Sequence, residues 1–247
     1  MDFGLKGRTA IVTGASAGLG LATAESLAGE GANVTMFARR RDQLEREADR
    51  IGALAVRGDV TNPRDLEAVV RRTVEAFGGI DILVWNSGGP KPGTALEVTP
   101  EEIEDTVELL LIPAVRLVGL CVPHLVQSPA GRILFFTSIA VKEPAGNLGL
   151  TNAVRPGVTG WAKSLSRELG PQGITVNCIA PGRIETARLE QLYPEGPSEA
   201  DLQAIPLGRW GSPQELGDVA CFLASDRARY VTGTTLLVDG GLSRGLI

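Results

Sequence analysis

The residues best suited to chemistry are concentrated in Thr13-Gly14-Ala15-Ser16-Ala17-Gly18-Leu19-Gly20. This stretch follows the apolar run Thr9-Ala10-Ile11-Val12 and precedes Leu21-Ala22-Thr23-Ala24, so a strand feeds a glycine-rich turn that opens a helix. That order creates an anion site, because the first N–H groups of a helix have no intrahelical partner. Gly14 is expected to turn the chain sharply, Gly18 to let backbone approach a pyrophosphate, and Gly20 to let the helix pack closely on the strand, with Ser16 and Leu19 in the same cradle. A second charged cluster, Arg39-Arg40-Arg41, follows Ala38 at the end of the next apolar run. An NAD-selective site puts Asp or Glu there, against the ribose 2′-OH. With alanine and guanidinium groups instead, Arg39 is expected to meet a 2′-phosphate, which favours NADP(H) over NAD(H). The alternative is that the arginines merely solvate a loop.

The elements that must position these residues follow from periodicity. Strand patterns occupy 8–13, 33–38, 54–57, 82–85, 133–137, 175–179 and 235–238, separated by helix patterns such as 42–51 and the one that Asn62-Pro63 opens. Strands alternating with helices of this length imply parallel order and right-handed crossovers. The expected fold is therefore α/β: a single Rossmann-type doubly wound sheet of about seven parallel strands with helices on both faces, ligands sitting beyond the strands' carboxyl ends. Pro113 is expected to interrupt its helix at Leu109, and Pro156 either to kink its helix or to start it.

Composition bounds the partners. The 247 residues suit one domain spanning 1–247, since no linker or charge block divides them. A net charge of −5 and 4% aromatic residues leave no basic stripe or stacking platform, so small molecules rather than nucleic acid are the expected partners. Neither a signal pattern nor a contiguous apolar run long enough to cross a bilayer is present, Leu109 to Ile112 being far too short, from which a soluble protein in the cytoplasm is expected. Cys121, Cys178 and Cys221 are far apart and set among apolar residues, as reduced core thiols are, and no metal site is expected.

The spacing Gly-x-x-x-Gly-x-Gly behind Thr13 resembles the short-chain dehydrogenase/reductase family, and the likeness runs along nearly the whole chain. Asp59-Val60 is similar to the family's adenine-contacting acid and its neighbour, Asn86-Ser87-Gly88 to its Asn-Ala-Gly, and Pro181-Gly182 with Thr186 to the segment that holds the nicotinamide amide. Pro206-Leu207-Gly208-Arg209-Trp210, Pro213-Gln214-Glu215 and Tyr230 to Gly241 resemble the β-ketoacyl-carrier-protein reductase branch in particular. The resemblance implies a substrate lid around 187–208, irregular over 187–205, and a homotetramer paired through 231–247 and the helices around Leu110 and Trp161.

At the chemical site the resemblance is incomplete. The family's carbonyl-polarising serine maps onto Ser138, but thirteen and seventeen residues on, where the family has tyrosine and lysine, stand Thr151 and Arg155, and its helix asparagine aligns with Leu110. A threonine hydroxyl is far less acidic than a phenol, and a guanidinium effectively keeps its proton. Thr151 could still hydrogen-bond a substrate oxygen, and Arg155 could hold the nicotinamide ribose or an acidic substrate group. Other proton donors near the strand ends are Lys91, Lys142, Glu143 and Tyr193, whereas His124, the one histidine, belongs at the far end of its helix. Two functions stay open: an NADP-dependent oxidoreductase of a carbonyl or alcohol with a modified proton-transfer site, or a nucleotide-binding protein without turnover, serving as a sensor or a hetero-oligomer subunit.

Overall fold

The computed structural model describes residues 2–246, and within them seven parallel strands form one sheet. The strands are β1 (Thr9–Thr13), β2 (Asn33–Ala38), β3 (Leu54–Arg57), β4 (Ile82–Trp85), β5 (Arg132–Phe136), β6 (Thr175–Pro181) and β7 (Thr235–Val238), in spatial order β3-β2-β1-β4-β5-β6-β7. The helices are α1 (Gly18–Gly29), α2 (Arg41–Ile51), α3 (Pro63–Phe77), α4 (Pro100–Leu110), α5 (Ile112–Leu125), α6 (Gly149–Leu169), α7 (Ala187–Leu192), α8 (Glu199–Gln203) and α9 (Pro213–Ala224).

Side chains alternate across the sheet and bury both faces. Ala10, Val12, Ile82, Val84, Leu134 and Phe136 pack with α1, α2 and α9 in one cluster, whereas Ile11, Leu83, Trp85, Ile133 and Phe135 pack with α3, α5 and α6 in the other. Gly217 sits where α9 crosses α1, and a Cβ there would come within 2.7 Å of the Ala22 carbonyl oxygen. β6 runs to Pro181, past its expected end at 179, because Ala180 and Pro181 pair with Leu237 and Val238 of β7.

Proline chemistry shapes the helices near the site. Asn62 accepts from the Arg64 N–H (3.1 Å) with Pro63 in the first turn, which starts α3 as expected. Pro113 ends one helix and starts another: Leu111 closes α4 and precedes α5. Together Pro100–Leu125 have the length and hydropathy of a bilayer span, which counting contiguous apolar residues overlooks, but Ala114, Leu117, Val118, Cys121 and Leu125 are buried on the sheet. Pro156 does not start its helix: α6 is helical from Gly149, and Pro156 lies on its exposed side. Asn152, whose carbonyl loses its helical donor to Pro156, uses its side chain to clamp both backbone groups of Ala145, accepting from N–H (3.2 Å) and donating to C=O (2.9 Å).

The order reverses at β1, which pairs with β2 on one side and β4 on the other. Thr13 fastens that reversal. Its buried hydroxyl accepts from the Asn86 N–H (2.8 Å) and donates to the Asn86 carbonyl (2.7 Å), and Asn86 Nδ2 donates to the Gly14 carbonyl (3.4 Å). Thr13→Val keeps the shape and strands both Asn86 backbone groups, so chemical denaturation is expected to show a loss of about 1–3 kcal/mol, whereas unchanged stability would contradict the role of this clasp.

Candidate active site

The carboxyl ends of β1 to β6, with Leu242 and Ser243 beyond β7, open on one cleft of about 1080 Å³. Of the residues singled out from the sequence, Gly14, Ser16, Gly18, Leu19, Arg39, Asp59, Val60, Asn86, Gly88, Ser138, Thr151, Arg155, Pro181, Gly182 and Thr186 all line it. Gly20 does not. It lies under the turn, where a Cβ would run into the Gly14 carbonyl and stand 2.9 Å from Asn86 Nδ2, so the close approach it permits is within the turn itself.

At one end the cleft is a cradle for an anion. Gly14 and Gly18 have φ of +59° and +56°, and α1 begins at Gly18 itself. Ala17 offers no side-chain cap and the first turn holds no acidic residue, so its N–H groups are left for a ligand such as a dinucleotide diphosphate. Beyond it, Ala38 presents no carboxylate, and the guanidinium that reaches back to the cradle is Arg40, donating to the Ser16 hydroxyl (3.3 Å). Arg39, expected to be the principal cation, is 73% exposed and stands 3.7 Å from Asp59 Oδ2. Burial works to raise the Asp59 pKa, but the Thr61 N–H and hydroxyl, helped by Arg39, hold it below the usual value, so the carboxylate stays ionised and able to accept from an adenine amino group.

Pro181 and Gly182 bring the end of β6 to the other side, Gly182 donating to the Val238 carbonyl (2.9 Å) where a Cβ would stand 2.6 Å from Asp239 Cβ. The Thr186 hydroxyl is already engaged: it accepts from the Leu189 N–H (3.3 Å), which caps α7, and donates to the Ile184 carbonyl (3.3 Å). Thr186 thus starts an ordered α7, and α8 follows with the capping box Ser198/Asp201, so the segment expected to be irregular over 187–205 carries two short helices.

The chemical end gathers Ser138, Thr151 and Arg155. The Ser138 oxygen accepts from the Ala140 N–H (3.2 Å), which leaves its own proton free to be donated into the cleft. Thr151 is buried, and Arg155 is fixed by an Nη1 bond to the Phe136 carbonyl (3.0 Å). Burial, with the neighbouring charge of Arg188, pushes the Arg155 pKa down to about 10, lower than its residue type leads one to expect but still charged at neutral pH. Leu109 faces the cleft where Leu110 was expected, since Leu110 turns into the core.

The candidate proton donors separate cleanly. Lys91 is paired with Glu102, Lys142 is exposed, and neither lines the cleft. Glu143 lines it and accepts from the Arg244 N–H (3.0 Å). Tyr193 also lines it, its ring edge-on to Trp210 (centroids 5.6 Å apart) and 5.2 Å below the Arg183 guanidinium. Arg183, Arg188, Leu242 and Ser243 are lining residues that no motif indicated.

A family model described as enoyl-(acyl carrier protein) reductase matches residues 14–243. The chain belongs to the short-chain dehydrogenase/reductase family. Within the family it falls in the β-ketoacyl-carrier-protein reductase-like branch, being 38% identical over 242 residues to the 3-oxoacyl-[acyl-carrier-protein] reductase of Vibrio cholerae, with 96% of this chain and 98% of that protein covered. Among solved family structures, the L-sorbose reductase of Gluconobacter frateurii complexed with NADPH and L-sorbose superposes at a TM-score of 0.91, with 34% identity and both chains covered at 100%. The 3-ketoacyl-(acyl-carrier-protein) reductase of Brucella melitensis complexed with NADH does so at 0.89, with 34% identity and 97% of this chain and 99% of that chain covered.

Cofactor preference tests the family cradle as this chain fills it. NADPH is expected to bind at least tenfold tighter than NADH, about 1.4 kcal/mol, as read by nicotinamide fluorescence. Arg40→Ala is expected to weaken NADPH and leave NADH nearly unchanged, and Ala38→Asp with Arg39→Leu to narrow or reverse the gap. Equal affinities in the unmodified protein would remove the 2′-phosphate assignment.

Proposed function

We propose that the protein is an NADP-dependent oxidoreductase that interconverts a carbonyl and an alcohol with a proton-transfer site other than the phenol and ammonium pair of its family. The observation that carries this reading is one cleft that joins an uncapped helix N-terminus, flanked by Arg39 and Arg40, to the free hydroxyl of Ser138. NADPH, when bound, supplies the hydride that forms the new C–H bond as the carbonyl π bond opens, and the oxygen takes up a proton.

The chain's own groups divide the remaining work. Ser138 donates to the carbonyl oxygen and aims it. Arg155, held by the Phe136 carbonyl, sets a fixed positive charge beside the oxygen on which negative charge grows, the preorganised stabilisation that lowers such barriers. Thr151 adds a hydrogen bond without acting as an acid. Tyr193 is the cleft-lining candidate for the proton itself, with water as the alternative source. The replacements at 151 and 155 favour, as a second reading, a nucleotide-binding protein that has lost turnover.

Residues 1–247 act as one domain, and 187–208 as its substrate lid. The assembly is a homotetramer with two-fold symmetry, supported by the exposed Tyr230 and Leu236 on and beside edge strand β7 and by Val115 on α5. The partner is a small molecule rather than nucleic acid or membrane. The setting is the cytoplasm, consistent with three buried free thiols that burial makes reluctant to ionise.

NADPH oxidation across a panel of carbonyl compounds, run beside direct NADPH binding, separates the readings: tight binding with no turnover supports the second. Simple ketones are expected to react some 10² to 10⁴ times more slowly than with a phenol as acid. Thr151→Tyr with Arg155→Lys is expected to recover only part of that, because Leu110 is buried in the core and cannot do an asparagine's work. Arg155 loses its charge only as pH rises through about 10, so neither it nor Thr151 should set any pKa in a rate profile taken between about pH 6 and 9. A light-scattering mass of a monomer at micromolar concentration would contradict the tetramer.

A further inference from the structure

The arginines of the cleft differ in what neutralises them. Arg39 has Asp59, and Arg183 has Asp201, reached at 3.0 Å through its carboxylate and 2.7 Å through its carbonyl. Arg155 and Arg188 have no such acid among the described residues. Arg155 bonds to the Phe136 carbonyl, Arg188 to the Pro90 carbonyl, and among the described residues no carboxylate pairs with either. A guanidinium carries more N–H donors than one carbonyl can use, so both retain donors for the cleft they line.

Their surroundings make that incompleteness costly. Both side chains are half-buried, burial disfavours the charged form of each, and the charge of Arg188 further disfavours that of Arg155. Two like charges that line one cleft, with no counter-ion among the described residues, are stabilised most directly by a ligand of opposite sign. The groups also stand on different elements: Arg155 on α6 beside Thr151, Arg188 on α7, tied across to the loop after β4. Gly89 makes room for the second, since a Cβ there would stand 3.1 Å from Arg188 Nε. Glu143, the acid in the wall after Ser138, accepts from the Arg244 backbone N–H and pairs with neither arginine. The diphosphate of a dinucleotide has its own seat at the start of α1.

We propose that the substrate is an anionic carbonyl compound, a keto acid, whose carboxylate is held by Arg188 together with Arg155 while its carbonyl meets Ser138. The proposal rests on the carbonyl-oxidoreductase reading above and adds the class of substrate. A planar guanidinium binds a carboxylate through paired N–H donors, which fixes the direction of the group as well as its position. Because Arg188 belongs to α7, an anion in this seat also holds that helix against the loop after β4.

The test is binding to the NADP⁺ complex by calorimetry, using 2-oxo, 3-oxo and 4-oxo acids with methyl and phenyl ends, each beside its methyl ester. At least one acid is expected to bind roughly tenfold tighter than its ester, with the advantage shrinking as salt screens it. Arg188→Gln is expected to abolish that preference while leaving ester and NADP⁺ affinities unchanged, and Arg188→Lys to keep part of it. Equal binding of every acid and ester, or failure of every acid to bind at millimolar concentration, overturns the proposal. So does a loss of NADP⁺ affinity in Arg188→Gln with the acid preference intact, which would give the arginine to the cofactor's phosphates. Because binding needs no turnover, the two readings fail separately: acids bound but never reduced keep the carboxylate seat and remove the enzyme, so that the acid is a ligand and no substrate, and esters reduced as readily as acids leave the enzyme without this proposal.

Discussion

The structure depends on the point where strand order reverses, because only there do two loops leave the sheet in opposite directions and open a crevice. Parallel pairing of β1 with both β2 and β4 sets that point, and the Thr13 hydroxyl binds the two loops to one another through both backbone groups of Asn86. Gly14 then has to leave β1 in a left-handed conformation, and Gly20 has to lack a side chain because the Gly14 carbonyl occupies its space. α1 consequently begins with bare N–H groups facing the crevice. The rest of the sheet works as delivery: β5 brings Ser138, β6 brings Gly182, and α6 brings Thr151 and Arg155 to the same edge.

Positive charge predominates at both ends of that edge. Arg39 and Arg40 lie at the nucleotide end, Arg155, Arg183 and Arg188 at the chemical end, and the acids that line the cleft are Asp59 and Glu143. A chain with a net charge of −5 has thus collected cations where its ligands go. Such a field draws in anions and holds them. It also bears on the exchange of lysine for arginine at 155. An ammonium can tune a neighbouring phenol, whereas a guanidinium with no phenol beside it serves as a fixed, planar donor. On the function proposed above, the chemistry moves from proton supply toward charge stabilisation and substrate grip.

Much of this was legible in the sequence because it is carried by backbone. The seven strands stand within about two residues of their expected bounds, since apolar alternation and glycine punctuation are local signals. The glycine cradle was legible for the same reason. What escaped is contact between side chains of distant elements. Arg40, rather than Arg39, bends back to Ser16, Leu109 rather than Leu110 faces the cleft, and Lys91 is drawn aside by Glu102. Arg188 and Ser243 reach the cleft because of how α7 and the chain's last described turn fold over it, which no spacing within either segment reveals. Of the two outcomes expected at Pro156, a kink or a helix start, the start is excluded by packing, of which the rule for proline takes no account: Leu150, Thr151, Val154 and Val158 are buried along α6 and outweigh one lost bond on its exposed side.

The central claim is that this cleft moves hydride between NADPH and a carbonyl carbon without the phenol of its family. The most direct measurement is transfer of label from NADPH deuterated at the reactive position of its nicotinamide, with products from a mixed pool of keto acids and ketones read by mass spectrometry. The account predicts an alcohol carrying one deuterium on its carbinol carbon, formed also by the Thr151→Ala variant. NADPH bound tightly, with no deuterium passed to any carbonyl in the pool, would contradict it.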